Sequence, residues 1–562
     1  MKNWFKENGI YYLLVLISAI VFFFPFFAKG FVAGTEIGFH YTRISTLAES
    51  LKLGIFPAKL RPMHMKLYGY GVGFFYPDFF IYIPAALVAL GLDYEITVKS
   101  YLLVSILVGA FATYKCFVKL AGNKAIALFG EILHICALIN DDNLFGGHGI
   151  PHLFAYMAIP LALCGLLEIL EEDSKKGYIK YAVGLVSVVL SHHLIFLTML
   201  LVMIVIVLVH GRQIIKKPSV FGKLMGVSFG GLIFTTAYWL PALEQALKIK
   251  LIALYDNAYS LSEHILTLKD LVTVHIGLPL SLLSGAAFAA FFVLLIRNRR
   301  VETDVLCLFI VNLILLFLSC SRAFWTSSIG QALNFFQYTQ RFVFVFTVTL
   351  VMFTVVILRE IFACFDVSFI REKKYYPAAV AVFMLLVIIF ARNFSRPGFY
   401  RLPELSTIEL SPEMYAKDYE VSMGEWLPVE CEPSECKEPT LSKADDKTTA
   451  EGFKSEGAVY YDVWVLLDKK YYDVPYVYYY GYSAYLMDDN GNLVKELDVG
   501  EAFDDNGYVR VFMPDGGSGV GHILVTYRKT MVQKISYVIS AVATLAIFAL
   551  FAFTAFKKGK TK

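Results

Sequence analysis

The feature that most constrains this chain is a series of long apolar runs, each close to the roughly 20 residues that a helix needs to cross a bilayer. Of its 562 residues, 57% are hydrophobic and 17% are charged, whereas a soluble domain carries about a quarter charged residues. The sequence therefore predicts a polytopic α-helical membrane protein of about twelve spans. They fall near residues 10–28, 100–118, 124–140, 153–170, 179–194, 195–210, 222–242, 271–296, 303–320, 341–360, 375–392 and 532–556.

A further apolar run, from Phe79 to Leu92, is short. Runs of about 10–14 apolar residues are more often re-entrant or interfacial than spanning. If this run does not cross, every strongly basic loop falls on one side, which the positive-inside rule identifies as the cytoplasm. We therefore expect both termini in the cytoplasm and an uncleaved first span. The basic loops lie near 120–124, 171–180, 210–223, 296–300, 371–376 and 557–562.

The net charge of +3 does not indicate nucleic-acid binding, because the basic residues form short clusters between the apolar runs. Six of the eight cysteines lie in or beside apolar runs and are expected to pack as small core residues: Cys116, Cys136, Cys164, Cys307, Cys320 and Cys364. Cys431 and Cys436 lie in the polar stretch ECEPSEC. A local disulfide between them is expected only if that stretch faces an oxidising compartment.

The long polar segment 393–530 alternates in strand fashion, and DDNGN (488–492) and DDNG (504–507) are hairpin signals. It predicts a small β-rich domain on the extracytoplasmic side. Its tyrosine run, Tyr471 to Tyr485, is either a sugar-stacking surface or, in the more conservative interpretation, a set of aromatic cross-strand pairs and a membrane-facing aromatic belt. The expected organisation is a transmembrane domain with a first outer loop at 29–99, then the β-rich domain, then a last helix with a basic tail: 1–392, 393–530 and 531–562.

The stretch GTEIGFHYTRI places Glu36, His40 and Arg43 four and then three residues apart, so one helix face presents an acid, an imidazole and a guanidinium. Thr35 can cap this helix, and Glu36 would then lie in its first turn. The helix is predicted to end near Lys52 and to lie along the membrane surface. Its polar face would line an outer cavity or, in the alternative, be solvated and form a weak salt bridge.

Downstream, LYGYGVGFFYPDFF (67–80) combines glycines and aromatics, which suits a close backbone approach to a ligand or a bend back into the bilayer. Asp78 would begin a short apolar run, where a lone acid is costly unless it is paired or functional.

The second outer loop, INDDNLFGGHGIPH, adds Asp141, Asp142, His148 and His152 on the same predicted side of the membrane. Two acids followed by histidines can bind a divalent metal, but the spacing matches no specific ligand pattern, so metal dependence stays open.

Three further polar residues lie at the outer ends of predicted spans. Of His192 and His193, adjacent on a helix, at most one should face a cavity, and packing is as good an explanation as function. Arg341, after NFFQYTQ, would hold a phosphate bidentately or extend its head group to the interface.

Taken in order, these segments resemble the YfhO-type bacterial membrane proteins and their relatives among the GT-C class of glycosyltransferases. The resemblance rests on the Glu36–His40–Arg43 helix, GYGVGFFYP, SHH, FQYTQRF (336–342), EWLP (425–428) and PYVYYYGYSAYLMDDNG (475–491). This chain departs from the family pattern in two places. Glu36 stands where the family most often has aspartate, and the stretch before Arg341 lacks the family's proline.

The resemblance implies a membrane enzyme that transfers a sugar from a polyprenyl-phosphate donor to an extracytoplasmic acceptor such as teichoic acid, a polysaccharide or a glycolipid. It implies an inverting mechanism with Glu36 as the base, and Asp78, Asp141 and Asp142 as alternatives. The residues expected to bind the substrate are His40, Arg43, Tyr76, His148, His192, His193 and Arg341.

The chemistry is consistent with these residue types, because a carboxylate can take the acceptor's proton and guanidinium groups can stabilise the departing phosphate. Two other hypotheses stay open. One is a transporter or flippase of a lipid-linked sugar, although the sequence shows no pair of related halves. The other is an inactive scaffold that presents the β-rich domain.

Overall fold

A computed structural model describes residues 2–32, 34–65, 67–255, 261, 264–297, 301–364, 407–408, 421, 424–431, 460–488, 490–503 and 506–559. The predicted span 375–392 and Cys436 lie outside the described residues. The 375–392 span and the 431–436 disulfide therefore stay predictions.

The described part of the chain is mostly helical. The helices are α1 (Lys2–Phe23), α2 (Ile37–Lys52), α3 (Val72–Phe75), α4 (Tyr82–Ala89), α5 (Tyr94–Ala121), α6 (Lys124–Ile135), α7 (Leu138–Asp141), α8 (Ile150–Glu172), α9 (Lys175–Val189), α10 (His193–Val209), α11 (Gly211–Lys216), α12 (Pro218–Phe234), α13 (Thr236–Lys248), α14 (Ile252–Tyr255), α15 (Leu268–Asp270), α16 (Leu278–Ile296), α17 (Thr303–Cys320), α18 (Arg322–Trp325), α19 (Ser328–Ala332), α20 (Gln340–Cys364) and α21 (Met531–Gly559).

Seven of the described helices are long and apolar enough to cross a membrane. They cover Asn8–Phe27, Tyr94–Ala121, Ile150–Glu172, Leu278–Ile296, Thr303–Cys320, Gln340–Cys364 and Met531–Ala549. The polytopic membrane class predicted from the sequence is supported by these helices. An eighth span is obtained only if α12 and α13, which follow each other around Thr235, are taken together.

The predicted number of twelve spans is not confirmed, because several apolar runs form shorter helices. The run at 124–140 is not one helix, since α6 ends at Ile135 after 12 residues, about 18 Å of rise against a hydrocarbon core of about 30 Å. Helices α9 and α10 have 15 and 17 residues. The short run at 79–92 contains only the eight residues of α4, too few to span.

Strands near the C-terminal end form two antiparallel sheets, in the orders β3-β9-β5-β6 and β4-β8-β7. The strands on either side of each predicted hairpin signal pair antiparallel, β5 with β6 and β7 with β8, as the sequence predicts. Residues 489, 504 and 505 of the turns lie outside the described residues. The strands are β1 (Phe31–Val32), β2 (Thr407–Ile408), β3 (Tyr460–Leu466), β4 (Tyr471–Val477), β5 (Tyr482–Met487), β6 (Leu493–Leu497), β7 (Val499–Glu501), β8 (Tyr508–Phe512) and β9 (Val520–Tyr527). Strands β1 and β2 pair with each other.

The tyrosine run mostly packs inside the protein. Tyr472, Tyr476, Tyr479 and Tyr482 are buried, and the rings of Tyr476 and Tyr482 stack with centroids 5.9 Å apart. Burial of these rings favours the packing interpretation over a sugar-stacking surface.

The chain divides into two compact units. The first comprises Met1–Ile37, Val98–Gly231 and Tyr259–Glu409, and the second comprises Gly38–Thr97, Leu232–Ala258 and Leu410–Lys562. This division follows contacts in space; the domain limits expected from the sequence stay predictions.

In the first unit, α8 and α9 pack at very close range because small residues line their contact. A Cβ atom on Gly165 would lie 2.4 Å from the Tyr181 nitrogen, and one on Gly184 would lie 2.2 Å from the Ala162 nitrogen. Such small-residue contacts let helix backbones approach closely within membranes.

In the second unit, the two sheets are joined to α13 and α21. Gln245 donates to the Tyr480 carbonyl at 2.8 Å and accepts from the Tyr480 amide at 2.9 Å. Thr530, just before α21, donates to Glu244 at 2.7 Å. Strands β3 to β9 belong to the same unit as residues 38–52 of α2 and the loop after it, whereas β1 and β2 belong to the first unit.

Candidate functional site

Helix α2 is buried, which corrects the expectation that it lies along the membrane surface. Its bounds agree with the predicted end near Lys52, but all residues from Phe39 to Ala48 are buried. Polar side chains survive this burial because they bond to carbonyls of their own helix: Thr46 donates to Thr42 O at 2.8 Å and Ser50 to Thr46 O at 2.7 Å.

Arg43 stands at the centre of a polar cluster in the second unit. Its Nη1 lies 3.1 Å from His40 Nδ1, which confirms the contact expected from their spacing of three residues. Its Nη2 donates to Asp78 Oδ1 at 3.0 Å. The guanidinium carbon lies 4.6 Å from the ring centroid of Tyr76, a cation–π distance. Arg43 therefore joins three of the predicted site residues.

The sequence predicts that Asp78 is costly at the start of an apolar run unless it is paired. It is paired, with Arg43 as one partner and Arg61 as the other. Arg61 Nη2 donates to Asp78 Oδ2. Arg61 is held by the backbone, because it pairs with Tyr70 through two hydrogen bonds of 2.8 and 3.0 Å. Arg43, Arg61 and Asp78 are 1%, 0% and 4% exposed. Two buried guanidiniums therefore share a single carboxylate.

Several donor atoms of this cluster are not used inside the protein. Among the described residues, Arg61 Nε and Nη1 and Arg43 Nε are buried and have no hydrogen-bond partner. A buried guanidinium is costly unless its charge and donors are matched. The excess positive charge and the unused N–H groups together suit an anion.

Lys59 adds a third basic group beside this cluster. Its Nζ lies 5.7 Å from the ring centroid of Tyr238. Burial lowers the pKa of Lys59 to about 8; Asp78 opposes this shift and Arg61 adds to it. Lys59 is therefore still charged at neutral pH and loses its charge in mildly alkaline solution.

The glycines of GYGVG allow close packing within the protein. A Cβ atom on Gly73 would lie 2.7 Å from the Lys59 carbonyl oxygen and 2.8 Å from Asp78 Oδ2. One on Gly71 would lie 2.5 Å from the Tyr479 ring. The sequence predicts that these glycines allow a close approach to a ligand or a bend back into the bilayer. In the described residues, the backbone approaches the cluster itself and the Tyr479 ring, and the ligand stays a prediction.

An aromatic layer covers the loop that carries Asp78. Trp426, from EWLP, stacks on Phe75 with ring centroids 4.7 Å apart and planes at 9°. Its ring also lies 6.1 Å from that of Tyr76, in an edge arrangement. The segment 424–431 is held in turn by Tyr479, whose hydroxyl donates to the Trp426 carbonyl at 3.0 Å.

Glu36 belongs to the first unit and immediately precedes α2, rather than lying in its first turn. The amides of Thr35 and Glu36 donate to Gly146 O at 2.9 Å and Gly147 O at 3.1 Å. The structure thus brings the predicted base beside the second predicted outer loop.

That loop is formed by α7 and by a π-helical turn from Asp142 to Gly146. His148 is 1% exposed and packs against Gly34, where a Cβ atom would lie 2.2 Å from the imidazole. Asp141 ends α7 and Asp142 begins the turn, but their side chains lie outside the described part.

A stack of histidines lies elsewhere in the first unit. The rings of His152 and His192 are 4.4 Å apart, those of His152 and Phe344 are 4.9 Å apart, and those of His192 and His193 are 5.4 Å apart. His192 also caps α10 by accepting from the Ile195 amide at 3.4 Å. Packing and capping therefore account for His192.

Arg341 lies close enough to His193 for its positive charge to act on the imidazole. It donates to the Phe336 carbonyl at 2.9 Å, and its guanidinium lies 5.4 Å from the Tyr338 ring centroid. Both contacts orient the side chain from its own stretch, FQYTQRF.

The described residues contain no group of three or more His, Cys, Asp or Glu side chains arranged to hold a metal. Because the Asp141 and Asp142 side chains are not described, a metal there stays a prediction.

Comparison with known proteins adds little about function. No family model matches the chain. A protein of Lactococcus lactis subsp. cremoris (strain MG1363), described as an uncharacterized protein, is 25% identical over 253 residues. The matched region is 43% of this chain and 40% of that relative, so it covers less than half of either. The function must be argued from the site.

Sequence reasoning missed Arg61 and Lys59. Both lie in an irregular loop, where no helical or strand period relates them to Arg43 or Asp78. The available signal was the prediction that Asp78 needs a partner, together with two basic residues in the same first outer loop.

Proposed function

We propose that this protein is a membrane glycosyltransferase of the GT-C type, related to the YfhO-type proteins, that uses a polyprenyl-phosphate sugar. The acceptor is an extracytoplasmic glycan, cell-wall polymer or glycolipid. The proposal includes twelve spans, cytoplasmic termini and an extracytoplasmic β-rich region, as the positive-inside pattern predicts.

One observation carries the proposal: Arg43 and Arg61 are buried around Asp78 with N–H groups left unused. In sugar transfer from a lipid phosphate, negative charge builds up on the departing phosphate. Guanidiniums bind phosphate oxygens through paired N–H donors. They stabilise developing charge most effectively in a site that excludes water.

The remaining chemistry needs an acceptor base, which the resemblance assigns to Glu36. The Glu36 carboxylate would take the acceptor hydroxyl's proton while that oxygen attacks the anomeric carbon and the bond to the lipid phosphate breaks. Since Glu36 lies in the first unit, its role is supported by the resemblance and by its place on the Gly146–His148 loop.

Replacing Glu36 with glutamine is expected to lower sugar transfer by about 10²- to 10⁴-fold, because the amide cannot accept the proton. The measurement is the surface glycan of cells that express equal amounts of membrane-inserted protein. The matched control is Glu49→Gln, an acid of α2 that pairs with Lys52 at 2.8 Å. Unchanged glycosylation in Glu36→Gln would remove Glu36 from the mechanism.

The charge on Lys59 gives the site a predicted pH dependence. Because the folded-state pKa of about 8 lies below the ordinary value of 10.5, Lys59 loses its proton first in the folded protein. Binding of polyprenyl phosphate should therefore weaken by about tenfold between pH 7 and pH 9. Over about pH 8 to 10.5, the unfolded chain binds more protons, so Lys59 should make the protein more stable as pH rises.

The test compares the affinity for polyprenyl phosphate at both pH values in the wild type, in Lys59→Arg and in the exposed control Lys52→Arg. Lys59→Arg should keep its affinity at pH 9, while Lys52→Arg should behave like the wild type. A wild-type affinity that does not change with pH would contradict the role given to Lys59.

A transporter or flippase of lipid-linked sugar would use the same anion site. The two functions are separated by reconstituting the protein in vesicles with a labelled lipid-linked sugar and an acceptor. Movement of the label across the bilayer without transfer of the sugar would favour the flippase.

A further inference from the structure

Two glutamates form a second polar cluster in the second unit, apart from the Arg43–Arg61–Asp78 cluster, which is called the anion site below. Glu501 ends β7 and is 5% exposed, and Glu430 lies in the segment 424–431. The turn that follows β7 packs on this segment, since a Cβ atom on Gly507 would lie 3.2 Å from both Pro428 Cβ and Cys431 Cβ. The packing brings the two carboxylates into contact.

These carboxylates have acceptor atoms but no matching donors. Both Oε atoms of Glu501 and one Oε atom of Glu430 are buried, and no N–H or O–H donor of the described residues reaches them. The positive charge of Lys250 lowers the pKa of Glu501. Within the described part of the chain, Lys250 forms no ion pair with either acid. Two adjacent, buried carboxylates repel each other unless a cation or a proton lies between them.

We propose that Glu430 and Glu501 bind a divalent cation of the calcium type. Calcium prefers carboxylate oxygens and takes six to eight oxygen ligands, so water and backbone carbonyls would complete its shell. The cation would tie the segment that bears Trp426 to β7. It would therefore hold in place the aromatic ring that stacks on Phe75.

The electrostatics agree with this assignment. Burial raises the pKa of Glu501 to about 8, and both the charge of Glu430 and a hydrogen bond between the two carboxyl groups add to the rise. Burial raises the pKa of Tyr478 to about 12, and the charge of Glu501 adds to this rise. A bound cation would reduce the repulsion between the Glu430 and Glu501 carboxylates. It would compete with a proton for the same oxygens.

The test is the thermal unfolding of the full-length protein in nanodiscs, with 5 mM calcium or with EDTA at pH 7.4. Extracellular calcium sites have Kd values of about 10⁻⁴ to 10⁻³ M, so calcium should raise Tm by about 2 to 4 °C. Glu501→Gln should abolish this rise. The exposed acid of β6, changed in Glu496→Gln, should keep it.

Two outcomes would overturn the proposal. One is a wild-type Tm that calcium does not change, or a rise that persists in Glu501→Gln. The other is a Tm that falls as pH passes through about 8, equally with calcium and with EDTA, and that Glu501→Gln makes independent of pH. That pattern would mean the pair holds a proton.

Discussion

Replacing Asp78 with asparagine should destabilise the protein by about 3 to 5 kcal/mol, because two buried guanidiniums would lose the carboxylate they share. Arg43 contacts Asp78 at 3.0 Å, and Arg61 contacts its other oxygen. The amide is similar in size, so the loss would be mainly electrostatic. The measurement is the Tm of the purified variant together with its yield in the membrane fraction.

An anion should partly restore this variant. If the cluster binds phosphate, polyprenyl phosphate should raise the Tm of Asp78→Asn more than that of the wild type, because the ligand then supplies the missing negative charge. The exposed acid changed in Asp498→Asn is the control and should leave Tm unchanged. A stable Asp78→Asn protein would show that Asp78 does not balance the two guanidiniums.

Replacing Arg61 with methionine should have the opposite profile, with a large loss of activity and a small loss of stability. Asp78 would keep Arg43 as its partner, and an apolar side chain of similar length in place of a buried ion is often neutral for stability. The phosphate would lose one of its two guanidiniums. We expect sugar transfer to fall by about 10²- to 10³-fold, the usual effect of removing one such donor.

The second unit offers a matched control for this change. Arg510 is also buried, but it forms a complete pair with Asp473, at 2.6 Å from Nε to Oδ1 and 2.8 Å from Nη2 to Oδ2. Arg510→Met should lower Tm, because Asp473 is left unpaired, and should not change the transfer rate per folded molecule. Equal transfer rates in Arg61→Met and the wild type would limit Arg61 to a structural role.

The anion site formed by Arg43, Arg61 and Asp78 was only partly predictable from the sequence. The spacing of His40 and Arg43 predicted their contact, and the apolar setting of Asp78 predicted that it would be paired. The second partner was not predictable, since Arg61 reaches Asp78 through an irregular loop fixed by its backbone pairing with Tyr70. Such tertiary pairings leave no period in the sequence.

The environment of α2 was misjudged for a physical reason. The polar residues Glu36, His40 and Arg43 predict a helix along the membrane surface, with its polar face toward an outer cavity or toward water. Several small hydroxyl side chains of the helix, however, donate to carbonyls of the helix itself: Ser45 and Thr46 to Thr42 O, and Ser50 to Thr46 O. Arg43 is paired with Asp78, so its charge is also matched inside the protein.

The number of membrane spans was also only partly predictable from the sequence. Seven apolar runs form helices of spanning length. Others end early where the local sequence stops the helix, as α6 does at Ile135. Hydropathy detects apolar composition, but the caps and turns that divide a run depend on individual residues and on packing.

The anion site is tested most directly by binding of polyprenyl phosphate, compared with uncharged polyprenol, to the full-length protein in nanodiscs. We expect the wild type to prefer the phosphate by at least about 100-fold. We expect Arg61→Met to lose most of this preference and Arg510→Met, measured where it is folded, to keep it. Equal binding of the phosphate and the alcohol by the wild type would rule out an anionic ligand of this class at Arg43 and Arg61.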